Sequence, residues 1–481
     1  MKKTLCLLGT IALAAIITFS MTSCPELLPD TNNDNNNNNN NNNNEPGNGN
    51  NNNNNEPTDG KLTTVDAISK YLNEQAGGAT TDDLVVLSIE MNLGYMGSPT
   101  SNWQKLLEAI ETAGKYVELD LYSCTMFHDN LYVFNPDYNN KTGKDKIVSI
   151  ILPYEADVIT DGNKNAFKHF TNLESVSGAY ITLIGDNSFH NCSRLTKASF
   201  PQTTSIGQSA FRDCTSLTEI NFPKARIIGD NAFNGSGIVS ADFPEAITIN
   251  PFAFNNCTSL TEVNFPKAQV IGNFAFNGSG LESADFPEVT VINPSAFNNC
   301  TSLAEVSFEK ATIIGNDAFI NCTSLRIARF HANPARTTSG NPLQPWIDET
   351  GACTNDSVIF FPNALKGCIS LETLDVRNAW NVYFANSALA DIGTELELYL
   401  FDDNGTKSYG HPQNDTIFSN TFQTLTIKAP VTANSQIENL YVRQSGDSDQ
   451  YVIINTGIVH TMTVLGITGI TVKVERLTVP Y

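Results

Sequence analysis

The amino-acid sequence predicts a mainly β solenoid with coils of 21–23 residues, a helical N-terminal cap and an irregular β-rich C-terminal region. Two observations predict this fold class: a phenylalanine recurs once per coil, and in most coils a strand-like stretch ending in proline follows it. The repeated phenylalanines are Phe167, Phe189, Phe211, Phe233, Phe254, Phe276, Phe297 and Phe319. Because such an array grows by adding coils, the length of 481 residues does not indicate several separate cores.

One coil illustrates the predicted geometry. Leu217, Ile220 and Phe222 are expected to point inward, and Pro223 ends the strand because proline has no N–H to donate to a ladder. No coil buries enough apolar surface to be stable alone. The coils are therefore expected to fold as one stack of leucine-rich repeats, with neighbouring coils paired as parallel strands.

Residues 1–23 are predicted to be a signal peptide. Lys2 and Lys3 precede an apolar run over residues 4–18, and small residues stand immediately before Cys24. The residues before Cys24 resemble a bacterial lipobox, although Met21 replaces the usual leucine, and this resemblance implies lipid attachment at Cys24. The alternative is an ordinary signal peptide followed by an unrelated cysteine.

Residues 24–60 are predicted to be the lipidated cysteine and an asparagine-rich disordered tether. The tether has almost nothing to bury, so it cannot offset the entropy lost on folding. No later apolar run reaches the roughly 18 residues needed to span a bilayer. The mature protein is therefore expected to be lipid-anchored at the bacterial cell envelope, at the outer membrane or the cell surface.

Residues 61–145 are predicted to form an α/β cap over the first coil. One helix follows Thr63 and Thr64 and is expected to stop at residues 77–78, which are both glycine. A second helix starts at Ser101, and Gly114 stops it. Strands are expected at residues 84–89 and 116–121.

The leucine-rich repeat solenoid is predicted over residues 146–385, with a polar loop inserted at about 331–360. Residues 386–481 are expected to be an irregular β-rich cap that covers the C-terminal end. A separate small β domain is the alternative for this last region.

The repeat motif resembles that of a known bacterial class. Residues 228–233 read IGDNAF, and residues 257–266 read CTSLTEVNFP. These motifs resemble the BspA-like leucine-rich repeat surface proteins with Treponema-type repeats, and the match covers roughly residues 147–376. The resemblance implies a cell-surface protein that binds host extracellular-matrix or bacterial protein partners. Glu309 departs from the motif, because other coils carry proline there.

Five cysteines occupy one position of the repeat: Cys192, Cys214, Cys257, Cys300 and Cys322. Their periodicity predicts a buried column of free thiols, because one place in each coil always meets the core. A disulfide between Cys192 and Cys214, or between Cys300 and Cys322, is the alternative. No zinc-type cysteine pair, Ser/His/Asp arrangement or HExxH motif is present, so the sequence predicts neither a metal, a cofactor nor an enzyme.

The formal net charge of −22 argues against nucleic-acid binding, because phosphates would be repelled. On the repeat strands, residues between the inward ones should face solvent, and carboxylates recur there every 43 residues. The candidate binding residues are Glu219, Asp242, Glu262, Asp285 and Glu305. They predict an acidic ladder for a basic partner segment; a merely solvated face copied by duplication is the alternative.

Together these features predict a surface-anchored lipoprotein whose solenoid mediates protein–protein interaction, with adhesion to host or bacterial surfaces. The alternative is a structural or antigenic envelope lipoprotein without a specific host ligand. A third and weaker hypothesis is a matrix- or carbohydrate-degrading enzyme that uses the inserted loop or the C-terminal region.

Overall fold

The computed structural model describes residues 60–126, 132–137, 142–160, 165–330, 357–376, 381–384, 388–393 and 395–399, and isolated strands from residue 408 to residue 477. Within these residues it contains two α-helices, a short 3₁₀ turn at Lys144–Lys146 and thirty strands. The helices are α1, Val65–Glu74, and α2, Asn102–Ala113. The fold is the predicted β solenoid with few helices.

The strands are short and follow the chain in a regular order. Those of the N-terminal part and the repeats are β1 Val85–Ser88, β2 Val117–Asp120, β3 Val133–Phe134, β4 Ile147–Ile151, β5 Val158–Ile159, β6 Ser175–Ser177, β7 Leu183–Ile184, β8 Lys197–Ser199, β9 Ser205–Ile206, β10 Glu219–Asn221, β11 Ile227–Ile228, β12 Ser240–Asp242, β13 Thr248–Ile249, β14 Glu262–Asn264, β15 Val270–Ile271, β16 Ser283–Asp285, β17 Val291–Ile292, β18 Glu305–Phe308, β19 Ile313–Ile314 and β20 Ile327–Phe330. Those that follow are β21 Ser357–Phe360, β22 Thr373–Asp375, β23 Asn381–Phe384, β24 Glu395–Tyr399, β25 Ser408–Gly410, β26 Thr424–Pro430, β27 Asn439–Arg443, β28 Tyr451–Asn455, β29 Val459–Val464 and β30 Ile467–Leu477.

Each repeat coil contributes one strand to each of two faces. Face A contains β1, β2, the even-numbered strands from β4 to β26, and then β30 and β29. Face B contains the odd-numbered strands from β3 to β27, and then β28. Pairing is parallel except between β27 and β28 and between β29 and β30. Face B is one continuous sheet of 14 strands, whereas face A is divided into sheets of 6, 2 and 8 strands.

The core between the faces is dominated by stacked phenylalanine rings. The rings of Phe211 and Phe233 lie 5.3 Å apart between centroids at an interplanar angle of 3°. The rings of Phe233 and Phe254 lie 5.4 Å apart at 5°, and those of Phe254 and Phe276 lie 5.3 Å apart at 6°. These side chains are fully buried, so the repeated phenylalanine predicted from the sequence is confirmed as a ladder through the core.

The two N-terminal helices form for the predicted local reasons. The Thr64 side chain accepts a hydrogen bond from the N–H of Ala67 at 3.2 Å and begins α1. The Ser101 side chain accepts from the N–H of Gln104 at 3.2 Å and begins α2, which ends at Gly114 in the left-handed conformation. Helix α1 ends at Glu74, three residues before the predicted glycine stop.

The inserted loop is shorter at its C-terminal end than the sequence predicts. Ser357–Phe360 form β21, which pairs with β19 and β23 in face B. Val358, Ile359 and Phe360 are buried, so their apolar side chains resume the coil before residue 361. The remainder of the predicted loop, residues 331–356, lies outside the described residues.

The predicted boundary at residues 385 and 386 does not interrupt the sheets. In face A, β24 pairs in parallel with β22, β26 pairs with β24, and β30 pairs with β26. In face B, β25 pairs with β23. These C-terminal strands therefore pair in continuation of the two faces of the solenoid.

In the part of the chain that the structure describes, neither helix has the length and apolar character of a membrane span.

Candidate binding surface on face A

The candidate residues occupy two adjacent columns on face A. In the first column Glu219 is paired with Lys197, Glu262 with Ser240, and Glu305 with Ser283. In the second column the pairs are Asn221 with Ser199, Asp242 with Asn264, and Asp285 with Ser307. The structure therefore places the glutamates in one column and the aspartates in the next. Each coil carries one of these carboxylates, and successive coils carry it in alternate columns.

Strand geometry explains why these side chains face solvent. In β12 and β16 the central alanine is buried, whereas the residues on both sides are exposed. In β10 and β14 the central residues Ile220 and Val263 are only partly buried. Successive side chains on a strand point to opposite sides, so burial of the central residue turns its two neighbours outward. All five candidate carboxylates are exposed.

The two ends of this surface are occupied by cations. Lys197 Nζ lies 3.0 Å from Glu219 Oε2, and Arg329 Nη1 lies 3.4 Å from Glu305 Oε2. Sequence reasoning missed both partners. Lys197 stands 22 residues before Glu219 and Arg329 stands 22 residues after Ser307, so the repeat spacing could have revealed them.

Within the part of the chain that the structure describes, the middle of this surface has no such cation. Asn264 Nδ2 donates to Asp242 Oδ1 at 2.7 Å. Among the described residues, Glu262 and Asp285 make no side-chain hydrogen bond or ion pair. Asp242, Glu262 and Asp285 therefore leave uncompensated negative charge on three consecutive coils. We call these three residues the acidic centre.

The rim that follows the face A strands carries charges that compensate one another. Lys267 Nζ lies 2.6 Å from Glu245 Oε1, and Lys310 Nζ lies 2.6 Å from Glu288. The hydrogen bond from Lys267, together with its positive charge, lowers the pKa of the Glu245 carboxyl. This rim differs from the acidic centre because each lysine is paired with the glutamate of the preceding coil.

The repeat cysteines form the predicted buried column of free thiols. Cys214 Sγ donates to the carbonyl oxygen of Phe189 at 3.0 Å, and Cys257 Sγ donates to that of Phe233 at 3.0 Å. Coils that lack cysteine place Ser236 or Ser279 in the column. Burial raises the pKa of Cys257 to about 12, so this thiol is neutral at physiological pH.

Two further predictions concern chemistry away from face A. Among the residues with described positions, no group of three His, Cys, Asp or Glu side chains could hold a metal ion. The predicted lipid-attachment residue Cys24 lies outside the described residues.

Comparison with known proteins identifies the repeat. A family model described as BspA type leucine rich repeat region matches residues 142–248 and 226–338, in six copies. No curated protein matches the chain.

Several solved structures are similar to the chain at low identity. One from Bacteroides ovatus is 18% identical, covers 56% of this chain and 85% of its own, and has a TM-score of 0.32. A leucine rich cell surface protein from Faecalibacterium prausnitzii is 16% identical, covers 64% of this chain and 79% of its own, and has a TM-score of 0.29. The pneumococcal vaccine antigen PcpA is 13% identical, covers 65% of this chain and 73% of its own, and has a TM-score of 0.30.

Proposed function

From the membership of residues 142–338 in the BspA type leucine-rich repeat family, we propose that this chain is a surface-attached protein that binds other proteins through face A. Leucine-rich repeat solenoids are typical of protein–protein interaction and are typically not enzymes. They present a long rigid surface, so recognition depends on a pattern of side chains and not on a deep pocket.

The observation that carries the proposal is the acidic centre. Buried residues of the solenoid are explained by packing, but the exposed Asp242, Glu262 and Asp285 contribute nothing to the core. Their charges lie in register on neighbouring coils and lack a cation among the described residues. Such a surface complements a partner segment that carries lysine or arginine.

The proposed setting is the bacterial cell surface, with adhesion to host or bacterial surfaces as the role. Cys24 would be the lipidated residue, and residues 25–60 would hold the solenoid away from the membrane. The family of the repeat and the sequence before Cys24 support this setting.

The binding proposal is tested with a charge-neutral variant that carries Glu219→Gln, Asp242→Asn, Glu262→Gln, Asp285→Asn and Glu305→Gln. Purified full chain and variant are compared for capture of host matrix proteins and bacterial surface proteins, at low and at high salt. We expect the variant to lose the captured partner, and we expect high salt to weaken capture by the parent chain.

The matched control changes the rim pair, Lys267→Gln with Glu245→Gln, which removes two charges without changing net charge. We expect this control to capture the partner as the parent chain does. Equal capture by the parent and the charge-neutral variant would overturn the role of face A. Absence of any captured partner would favour the structural or antigenic envelope lipoprotein.

The anchoring proposal is tested separately by Cys24→Ala. We expect the variant to lose incorporation of labelled fatty acid. Protease treatment of intact cells then reports exposure: the anchored parent chain should be cleaved. Fatty-acid labelling of the variant equal to that of the parent chain would contradict lipid attachment at Cys24.

A further inference from the structure

Four tyrosines form an exposed cluster at the N-terminal end of the solenoid. Tyr122, Tyr154 and Tyr180 follow the face A strands β2, β4 and β6, and Tyr132 precedes the face B strand β3. Their side chains are between 43% and 53% exposed. We call these four residues the tyrosine rim.

Stacking of the first coils brings these residues together. Leu121 N–H donates to the Ile151 carbonyl at 3.0 Å, and Leu152 N–H donates to the Ser177 carbonyl at 2.8 Å. Tyr154 N–H donates to the carbonyl of Tyr122 at 3.1 Å. The residues that follow these strands therefore lie above one another on successive coils.

Later coils use the same position differently. The stacking continues through the hydrogen bond from Phe200 N–H to the Asn221 carbonyl at 3.0 Å. On these next two coils, Gln202 and Lys224 occupy the position that tyrosine occupies in the first coils. Lys224 Nζ donates to Gln202 Oε1 at 2.5 Å, and the coils beyond carry the paired glutamates and lysines of the rim. In the described coils from Gln202 to Lys310, no tyrosine occupies this position.

The rings contact one another on the surface. The centroids of Tyr122 and Tyr154 are 6.1 Å apart at an interplanar angle of 48°. A hydrogen bond between the Tyr122 and Tyr180 side chains raises the pKa of Tyr122. Tyr154 donates its hydroxyl to Glu155 Oε1 at 3.2 Å, and the negative charge of Glu155 raises the pKa of Tyr154. These contacts restrict the rings before any partner arrives.

Neighbouring tyrosines on a surface are suited to binding. Each ring presents a large apolar area, and its two side-chain torsions cost little entropy to fix. Aromatic residues are enriched among those that contribute most to protein interfaces. None of the four is needed to fill the core, because each remains about half exposed.

The surroundings of the tyrosine rim select a cationic partner. Glu155 lies within the cluster, where its carboxylate accepts the Tyr154 hydroxyl at 3.2 Å and the backbone N–H of Met126 at 3.0 Å, and the Asp120 carboxylate accepts the backbone N–H of Tyr122 at 2.9 Å. Lys61, whose Nζ lies 2.9 Å from Ser123 Oγ beside Tyr122, is paired with Glu90 at 3.3 Å. Ring faces and carboxylates both attract a guanidinium or ammonium group, the rings through cation–π contact.

From these contacts we propose that the tyrosine rim is an anchoring site for arginine or lysine side chains on an extended segment of a partner protein. The proposal rests on the protein-binding function proposed above and names a second contact site for the same kind of partner. The faces of the rings contact the cationic side chains, while the carboxylates of Glu155 and Asp120 attract their positive charge.

The test uses the full chain and labelled short peptides, one alternating arginine with serine and one alternating glutamate with serine, measured by fluorescence anisotropy. Variants are Tyr154→Leu with Tyr180→Leu, which removes two rings, and Tyr154→Phe with Tyr180→Phe, which keeps them. The charge-neutral face A variant is measured in parallel. Circular dichroism confirms that each variant is folded, as expected for substitutions at half-exposed positions.

We expect the arginine peptide alone to bind. The leucine variant should bind it about tenfold more weakly, whereas the phenylalanine variant should keep most of the affinity, because cation–π contact requires the ring and not the hydroxyl. The face A variant should still bind the arginine peptide. Adding the leucine substitutions to that variant should abolish this binding, which would support the tyrosine rim directly.

Four results would overturn the proposal. The parent chain could fail to bind the arginine peptide, or it could bind both peptides equally. The leucine variant could also bind the arginine peptide as tightly as the parent. If that third result is accompanied by loss of binding in the face A variant, the tyrosine rim is excluded while the proposed function of face A stands. Binding of a neutral oligosaccharide in place of the peptide, lost in the leucine variant, would reassign the rim to carbohydrate.

Discussion

The phenylalanine ladder repeats at every coil, whereas the exposed charges of face A repeat at every second coil. Rings on successive coils, such as Phe233 and Phe254, stack at 5.4 Å and attract each other. Carboxylates at the same spacing would repel, because paired strands lie about 4.8 Å apart. Glu262 accordingly lies opposite Ser240 and not opposite another acid. Packing thus sets a period of one coil, and electrostatic repulsion sets a period of two.

The largest effect is expected from a substitution that breaks the one-coil period in the core. Phe254→Ala removes a fully buried ring from the ladder and should lower the free energy of unfolding by about 3–5 kcal/mol, because a cavity remains between its neighbours. Urea denaturation followed by circular dichroism measures this loss.

Phe252→Ala is the matched control for that substitution. Phe252 is only half-buried, has a φ of 59° and stacks on Phe274 at 5.0 Å outside the core. We expect a loss of about 1 kcal/mol, the value of one aromatic contact. Similar losses for Phe252→Ala and Phe254→Ala would contradict the distinction between core ladder and surface pair.

The second expected effect concerns the thiol column and appears only at high pH. Burial raises the pKa of Cys257 from 9.0 to about 12, so its contribution to stability is fully present below about pH 9. As pH rises from 9 towards 12, the unfolded chain loses this proton while the folded chain keeps it. Stability should fall by about 1.4 kcal/mol per pH unit for each such thiol.

Cys257→Ser checks this alkaline dependence. Urea denaturation of parent and variant from pH 7 to pH 11 should give the same offset up to about pH 9 and a shallower decline for the variant above it. Deprotonation of lysine and tyrosine affects both proteins equally, so it cancels in the difference. Parallel curves at high pH would show that this thiol is not protected by burial.

The third effect is expected from a substitution that breaks the two-coil period on face A. Ser240→Glu places a carboxylate directly opposite Glu262 and should destabilise the fold by roughly 0.2–1 kcal/mol at low salt. Added salt should restore the stability, because exposed charges are screened. Ser240→Gln, of similar size without charge, should behave as the parent chain at every salt concentration.

The smallest expected effect is on the compensated rim. Lys267→Met removes the partner of Glu245, but both side chains are exposed, and exposed ion pairs contribute little to stability. Thermal unfolding should not resolve the variant from the parent. A clear loss of stability would mean that the rim supports the solenoid and is not merely a neutralised surface.

Features that repeat at a constant spacing were predictable from the sequence. The buried phenylalanines, the inward Leu217 and the cysteine column follow from packing, which imposes the same residue at the same place in each coil. The caps Ser101 and Gly114 were also predictable, because capping depends on local backbone geometry.

Features that depend on irregular spacing were not predictable. The strands β22, β24, β26 and β30 continue face A although the lengths of chain between them vary, so no sequence period marks their pairing. The cations Lys197 and Arg329 are a different case, because each stands 22 residues from its paired position on the neighbouring strand and the repeat spacing could have revealed both. The tyrosines lie in the least regular coils: Tyr122, Tyr154 and Tyr180 are separated by 32 and 26 residues, whereas the repeated phenylalanines recur every 21 or 22 residues.

The alternation of Glu262 with Ser240 and Ser283 on face A limits how the protein can change length. The buried column accepts cysteines on neighbouring coils, such as Cys300 and Cys322, but loss of one coil within residues 219–305 would bring two glutamates or two serines together on face A. Loss of two coils again joins a coil with glutamate to a coil with serine, as in the parent chain. Lengthening or shortening of this surface is therefore expected to proceed by pairs of coils, so that reach varies while the charge pattern offered to a partner is preserved.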